Sequence, residues 1–320
     1  MKKTTINYLP KQGSLWDHWL YRAPDGVYHL YFLYDERPEP ELNKPIWLVG
    51  HATSRDLVQW EEHAPVLRPD PERGVTDIAT GSVIAFENRF AMLVTDQAKG
   101  ICLAFSDDLY HWDWYTQNPV LPVYGEEYET REQMNANPDG CACWCDPYLF
   151  RVPGEESVYT LINTRLRDGK MEDRGCIALA KSDDLIHWKM LPPILFPGYC
   201  KRCETPQILN RNGRWYLLLS CFPHLLSKEF QTSLCKEQLN TSALVYTSEQ
   251  FDGGYTLAGE WALFENESCY ICKIQEGTDG KDCVLTIKNN ATTYPPRHGE
   301  TGITLPYAVS YPDSGGIHIE

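Results

Sequence analysis

The sequence carries SRDLVQW at 54–60, SDDLYHW at 106–112 and SDDLIHW at 182–188, which are three copies of the pattern Ser-x-Asp-Leu-x-x-Trp. Each copy follows an apolar run typical of a β-strand and precedes a proline-containing segment, where proline ends strand pairing. A weaker fourth copy spans 246–261, and Trp261 takes the place of its closing tryptophan. This repetition indicates a repeat fold in which the aspartates cap turns and the tryptophans pack between units.

Hairpin signals lie between the copies of the pattern. Three strand-like segments have a turn signal at their centre, at Glu87-Asn88, Pro153-Gly154 and Asn212-Gly213. Each segment therefore predicts two antiparallel strands joined by a hairpin, which makes the unit about four strands long. Four units, a tail at 269–289 and an N-terminal strand that closes the ring predict an all-β fold, a five-bladed β-propeller. Short helices are predicted only within 126–136 and 224–236.

Composition excludes several classes of protein. The 320 residues include 29 Lys and Arg against 44 Asp and Glu, and the net charge of -15 argues against a nucleic-acid or anionic-membrane surface. No apolar stretch is long enough for a membrane span or an export signal, so we expect a cytoplasmic protein whose 12 cysteines are reduced thiols. We expect residues 1–320 to form a single propeller domain without a C-terminal β-sandwich.

Three carboxylates are the strongest candidates for chemistry. Asp17, Asp146 and Glu204 each open the predicted first strand of a blade, among aromatic residues and proline. The first residues of the innermost strands of a propeller point into one shared pocket. Carboxylates that converge there shift one another's pKa values, which leaves one protonated as an acid and another ionised as a nucleophile or base. This pairing is what cleavage of a glycosidic bond requires.

The same segments resemble glycoside hydrolase family 32. The segment WDHWLYRAPDGVYHLYFLY resembles the family's opening motif, and GHATSRDLVQW resembles its Gly-His-Ala-x-Ser-x-Asp-Leu-x-x-Trp element. The resemblance covers residues 14–290 and extends more loosely to family 43. It implies Asp17 as the nucleophile, Asp146 as a stabiliser of the transition state and Glu204 as the general acid/base.

Two departures from the family pattern bear on the substrate. Cys145 stands where the family has the arginine of Arg-Asp-Pro, which contributes to fructose recognition, and Cys203-Glu204-Thr205-Pro206 is closer to the Glu-x-Pro of family 43. The resemblance implies a β-fructofuranosidase-like hydrolase that retains configuration. The alternatives are an inverting α-L-arabinofuranosidase or β-xylosidase of family 43 type, or a carbohydrate-binding propeller without catalysis.

Further residues are candidates for binding the sugar, although the aromatic residues and His18 also fit a packing role, Asp77 a loop cap and Arg165 a solvated surface. Aromatic rings beside the carboxylates can stack on sugar C–H groups, and polar side chains can bind hydroxyl groups. Arg165, at the end of a strand, can replace the missing arginine. The substrate-binding candidates are Trp16, His18, Trp19, Trp47, Asp77, Ser82, Trp144 and Arg165.

Two groups of cysteines flank the candidate carboxylates. Cys141, Cys143 and Cys145 precede Asp146, and another pair, Cys200 and Cys203, precedes Glu204. Thiolates at these spacings can hold Zn²⁺. Cys145 and Cys203, however, are the strand neighbours of pocket residues, so alternation predicts that they point away from the pocket as buried apolar side chains. We therefore expect no metal and no other cofactor, a carbohydrate as the partner, and propeller faces that leave a homodimer open.

Overall fold

The computed structural model describes residues 4–37, 41, 44–137, 143–234, 243–258, 269–292, 294–313 and 315–319. These residues form five antiparallel sheets arranged as a five-bladed β-propeller, which confirms the predicted fold class. Trp261 and Cys141 lie outside the described residues.

Blades I and III are regular four-stranded meanders, in which each strand pairs with the next one along the chain. Blade I contains β2 (Ser14–Arg22), β3 (Tyr28–Asp35), β4 (Leu48–Ser54) and β5 (Glu61–Leu67). Blade III contains β11 (Trp144–Arg151), β12 (Val158–Arg165), β13 (Gly175–Ser182) and β14 (Lys189–Leu195).

Blades II and IV also have three long inner strands each, but their outermost strands are shorter. In blade II two short strands share the outer edge: the blade contains β6 (Ile78–Phe86), β7 (Arg89–Asp96), β8 (Gly100–Ser106), β9 (Asp113–Trp114) and β10 (Leu121–Pro122). Blade IV contains β15 (Glu204–Arg211), β16 (Arg214–Ser220), β17 (Ala243–Ser248) and β18 (Thr256–Leu257). The three predicted hairpins correspond to β6–β7, β11–β12 and β15–β16.

Blade V closes the ring by combining the two ends of the described chain. It contains β1 (Ile6–Tyr8), β19 (Cys269–Glu276), β20 (Asp282–Asn289), β21 (Thr301–Thr304), β22 (Tyr307–Ser310) and β23 (His318–Ile319). β1 pairs antiparallel with β21, so Ile6 lies opposite Thr304 and Tyr8 opposite Ile303. The predicted closure of the ring by the N-terminal strand is therefore confirmed.

The repeated seven-residue pattern builds the turn from the third to the fourth strand of a blade. In the copy at 182–188, the Ser182 hydroxyl accepts hydrogen bonds from the backbone N–H groups of Asp184 and Leu185. The Asp184 carboxylate accepts from the next two N–H groups, and Leu185 has a φ of 65°. The copies that begin at Ser54 and Ser106 make the same bonds, as predicted for a turn cap.

Helices are short and lie between strands of the described chain. They are α1 (Arg131–Asn135), α2 (Lys228–Ser233) and two 3₁₀ turns, Pro71–Arg73 and Pro223–Leu225. α1 and α2 fall within the two predicted segments. Within the described chain, no helix has the length and apolar character that crossing a membrane requires.

The innermost strand of every blade breaks its pairing register at the same height. The breaks lie between residues 15 and 18, 78 and 81, 145 and 148, 204 and 207, and 270 and 273. Within three of them Asp146, Thr205 and Ile271 have positive φ values of 57°, 45° and 57°. Such bulges bend a strand and redirect its side chains. In this propeller they separate the residues of one axial mouth from those of the other.

Candidate active site at one mouth of the propeller axis

A cavity of about 940 Å³ opens at one end of the axis, above the register breaks. Seven of the predicted site residues line it: Trp16, Asp17, Trp47, Asp77, Trp144, Asp146 and Glu204. The three candidate carboxylates come from β2, β11 and β15, and therefore from three different blades. The structure thus brings together all three residues that the sequence proposed for chemistry.

Asp17 is held through only one of its carboxylate oxygens. The Thr80 hydroxyl donates to Oδ2, whereas Oδ1 is buried and has no hydrogen-bond partner among the described residues. Burial and the repulsion of Asp146 raise the pKa of Asp17 well above its ordinary value, and Glu204 adds to this effect. The Thr80 hydroxyl and the Lys273 ammonium lower the pKa of Asp17. The described residues therefore bind Asp17 through Oδ2 alone.

Asp146 is fixed by hydrogen bonds with its own blade and with both neighbouring blades. Its Oδ2 accepts from Asn163 Nδ2 at 3.1 Å and from the Thr205 backbone N–H at 2.9 Å. Its own N–H donates to Thr95 Oγ1 at 3.0 Å. Because these partners lie on β12, β15 and β7, Asp146 ties the walls of the cavity together.

Glu204 opens β15 and receives a donor on each oxygen. Arg202 Nη1 donates to Oε1 at 3.1 Å, and the Tyr270 hydroxyl donates to Oε2. Tyr270 in turn stacks on Phe222, with ring centroids 4.1 Å apart. The Glu204 carboxyl group is therefore oriented from two sides at the wall of the cavity.

Aromatic rings form one wall of the cavity. Trp16 lies 5.9 Å from Tyr270 and 5.7 Å from Tyr294 between ring centroids, and Trp47 Nε1 donates to the Tyr294 hydroxyl at 3.3 Å. Such a wall presents apolar ring faces together with hydroxyl groups, a combination suited to the mixed surface of a sugar ring.

The predicted roles of His18 and Trp19 in the cavity are wrong, because both residues follow the break in β2. His18 is fully buried, and neither ring nitrogen has a partner in the described part of the chain. Burial and the charge of Lys273 lower the pKa of His18 to about 3. Trp19 stacks on Tyr31 in the core and lines a second cavity of about 310 Å³ at the opposite end of the axis.

Ser82 and Arg165 also lie away from the candidate site. The Ser82 hydroxyl accepts from the Leu149 N–H at 2.9 Å and so joins blades II and III. Arg165 is fully buried and bonds Glu129 Oε2 at 2.9 Å and the Lys201 carbonyl at 3.0 Å. Since the buried Glu129 carboxylate needs a cation, Arg165 stabilises the interior and does not replace the missing arginine.

The cysteines differ from the prediction at one position. Cys145 lines the cavity, because the break that follows it ends the alternation of side chains, whereas Cys203 is buried as predicted. The Cys200 and Cys203 sulfurs lie 3.2 Å apart, and the described cysteines are free thiols. Within the described ranges no group of three or more His, Cys, Asp or Glu side chains is arranged to hold a metal ion.

Sequence reasoning missed four polar residues whose side chains bond a candidate carboxylate, Thr80, Asn163, Arg202 and Tyr270, and a cation, Lys273, whose charge acts on Asp17. Thr80 lies at the break in β6, Arg202 in the loop before β15, and Tyr270 and Lys273 on either side of the break in β19. Equivalent positions in the five inner strands offered a signal for Thr80, Tyr270 and Lys273. Arg202 precedes its strand in an irregular loop, where no periodic pattern reports the direction of a side chain.

The fold and the site define a class, that of five-bladed propellers with an acidic, aromatic-walled pocket on the axis. Within this class the chain belongs to glycoside hydrolase family 32. The model of the glycosyl hydrolases family 32 N-terminal domain matches residues 19–191, just over half of the chain, and confirms the resemblance. Asp146 lies inside the match, whereas Asp17 and Glu204 lie outside it.

Individual relatives are distant and longer than this chain. An invertase of Wickerhamomyces anomalus is 30% identical over 252 residues, which cover 68% of this chain and 40% of that protein. Two β-fructofuranosidases of Arabidopsis thaliana are also similar to this chain, and the matched region spans less than a third of the length of each.

Solved structures agree on the fold. A sucrose-6-phosphate hydrolase of Lactobacillus gasseri superposes with a TM-score of 0.73 at 17% identity, covering 99% of this chain and 63% of that one. A Bombyx mori β-fructofuranosidase solved with sucrose has a TM-score of 0.71 at 17% identity, with 99% and 64% covered.

Proposed function

We propose that this protein hydrolyses β-fructofuranosides, with sucrose as the simplest substrate. The observation that carries the proposal is the meeting of Asp17, Asp146 and Glu204 from three blades in one axial cavity. Membership of family 32 supports the reaction class. The names of the relatives, invertases and β-fructofuranosidases, support the choice of sugar.

Two of the three carboxyl groups take part directly in the proposed reaction. Asp17 attacks the anomeric carbon while Glu204 protonates the leaving oxygen. Water then releases the sugar with Glu204 as base, so configuration is retained. Formation of methyl β-fructofuranoside in added methanol supports retention, and the methyl α-anomer would contradict it.

A guanidinium group in the cavity supports a fructose-like substrate despite Cys145. Arg202 lines the cavity and bonds Glu204, so a planar donor is present although the family's arginine is replaced. This group can donate to sugar hydroxyls in the pocket.

An α-L-arabinofuranoside is the second candidate. The observation that favours it is the position of Cys145, whose small side chain lines the cavity where the resemblance places a fructose-binding arginine. Arabinofuranose keeps the five-membered ring of fructofuranose but has one hydroxymethyl group fewer, so it needs fewer polar contacts.

The proposal is tested by sugar release from sucrose, a fructan, and β-fructofuranosyl, α-L-arabinofuranosyl and β-xylosyl substrates. We expect free fructose from the unmodified protein. Glu204→Gln should lower kcat about 10²- to 10⁴-fold, because the leaving oxygen loses its proton donor. The exposed Glu61→Gln is the matched control and should retain full activity.

Several outcomes contradict the assignment. An unchanged rate in Glu204→Gln would remove Glu204 from the reaction. Arabinose release without fructose would move the substrate to the second candidate, and xylose release would move it to a β-xyloside. Release of no sugar from any substrate would leave a carbohydrate-binding propeller.

A further inference from the structure

A lysine of blade V lies on the propeller axis below the three carboxylates. Lys273 immediately follows the register break in β19, and only 5% of its surface is exposed. It lines the second axial cavity of about 310 Å³, at the opposite end from the candidate active site. No motif of the sequence singled it out, and the roles proposed above make no use of it.

We propose that Lys273 is a positioning residue for the hydrolytic reaction, which holds the bulge that follows Glu204 and bonds Asp146, and whose positive charge favours the ionised form of Asp17. This inference rests on the proposed function and deepens it. Two observations carry it, one from hydrogen bonding and one from the distribution of charge.

Lys273 joins blade V to the strand that bears the proposed acid/base. Its Nζ donates to the Thr205 carbonyl at 2.8 Å and to the Pro206 carbonyl at 3.3 Å. Both carbonyls belong to the bulge that begins directly after Glu204, and Thr205 has a positive φ of 45°. A non-glycine residue with a positive φ persists only where surrounding contacts hold its backbone in place, and the hydrogen bond from Lys273 to the Thr205 carbonyl is such a contact.

The same bulge also forms a hydrogen bond with Asp146. The Thr205 N–H donates to Asp146 Oδ2 at 2.9 Å, so one peptide segment accepts from Lys273 and donates to the central carboxylate. Glu204, Asp146 and Lys273 are therefore linked through the backbone of residues 204–206. A shift of the ammonium group would displace both carboxyl groups.

The charge of Lys273 also acts on the carboxylates. Burial lowers the pKa of Lys273 to about 8, and the charges of Asp146 and Asp17 oppose that decrease. Lys273 in turn lowers the pKa of Asp17, against burial and the repulsion from Asp146 and Glu204. At neutral pH the lysine is thus mostly protonated and stabilises the ionised form of Asp17.

The other titratable groups around this pair do not supply that charge. Burial keeps His18, Cys272, Tyr148 and Tyr270 neutral at pH 7, since it lowers the pKa of the imidazole and raises the pKa values of the thiol and the two phenols. Arg202 bonds Glu204, and Arg211, which lines the lower cavity, forms an ion pair with Asp282. Lys273 is therefore the cation placed to act on Asp17.

The first test separates the charge from the packing. Lys273→Gln keeps an N–H donor for the two carbonyls but removes the charge, whereas Lys273→Arg keeps both. With sucrose as substrate, we expect Lys273→Gln to move the acid limb of the kcat/KM profile to higher pH by about one unit. At pH values below that limb, kcat should fall about tenfold. KM should change less than kcat, and Lys273→Arg should restore the limb. Lys181→Gln, on β13 outside both axial cavities, is the matched control.

An unchanged acid limb in Lys273→Gln, or an effect confined to KM, would overturn the proposal. A second measurement needs neither activity nor a variant of Lys273, and so separates this inference from the proposed function. In the full chain labelled with [¹⁵N]lysine, one Nζ resonance should titrate near pH 8, and Asp146→Asn should lower that pKa by removing a favourable charge. If every lysine titrates near its ordinary value, or if Asp146→Asn leaves the low value unchanged, the proposal is wrong.

Discussion

At the level of single residues, the protonation of Asp17 depends on a balance between opposing neighbours. Burial and two carboxylates raise its pKa, and the Thr80 hydroxyl and Lys273 lower it. A nucleophilic carboxylate reacts only when ionised, so the reaction needs a pH above that pKa. The acid limb of activity should therefore lie above the range of an ordinary aspartate.

Thr80→Val tests this balance with a nearly isosteric change. Loss of the hydroxyl donor raises the pKa of Asp17 further, so the acid limb of kcat/KM should move to higher pH by about one unit or less. The measurement is the pH dependence of kcat/KM for both proteins. Thr164→Val is the control, because Thr164 is buried and its hydroxyl has no hydrogen-bond partner in the described chain. A limb that stays in place or moves to lower pH contradicts the role of Thr80.

At the level of elements, the repeated turn explains why the seven-residue pattern recurs so faithfully. Its serine and aspartate accept four backbone N–H groups between them, and its leucine takes a positive φ that the sequence alone did not suggest. The turn could be predicted because each of its polar residues acts locally. The left-handed leucine could not, because leucine favours that conformation only when tertiary packing buries it.

Ser182→Ala should destabilise the protein by about 1–3 kcal/mol, because it leaves the buried N–H of Leu185 without its acceptor. The free energy of unfolding in urea measures this change. Ser233→Ala removes an exposed hydroxyl that bonds only the Phe230 carbonyl within its own helix, and should have a much smaller effect. Equal losses in the two variants would show that the turn bond is not important for stability.

At the level of the whole molecule, closure of the ring depends on a close approach between β1 and β21. A Cβ atom at Gly302 would lie 2.5 Å from Ile6 Cγ2 and 2.7 Å from the Tyr8 carbonyl oxygen. Glycine is therefore required where the N-terminal strand pairs into the last blade. The sequence predicted this closure from the number of strands, without the contact that permits it.

Gly302→Ala should force β1 away from β21 and destabilise the ring by about 1–3 kcal/mol. The thermal midpoint should fall, and amide hydrogen exchange should increase in residues 6–8 before the other blades are affected. Gly253→Ala is the control, since an added Cβ there meets no atom within 4 Å. Uniform loss of protection across all five blades would contradict local opening at the closure.

The limits of prediction at this scale follow from the breaks in the inner strands. Blade number, hairpins and the meeting of the three carboxylates could be predicted, because strand periodicity and motif order persist along the chain. The directions of His18, Trp19 and Cys145 could not, because alternation fails where the register breaks. Lys273 carries no motif, and only the closed ring brings its charge to bear on Asp17. Arg202 lies two residues before Glu204 in an irregular loop, where no periodic pattern reports the direction of its side chain.

The register breaks also separate the residues of each inner strand that line the candidate active site from those that pack the blades together. Residues at the start of a break or within it line the cavity that holds the carboxylates, and residues after it line the second axial cavity or pack between the blades. Substrate preference and ring stability are therefore encoded at separate positions only two or three residues apart. A substitution at a residue that lines the candidate active site, such as Cys145, should therefore alter substrate preference, while the residues after the breaks continue to hold the five blades together.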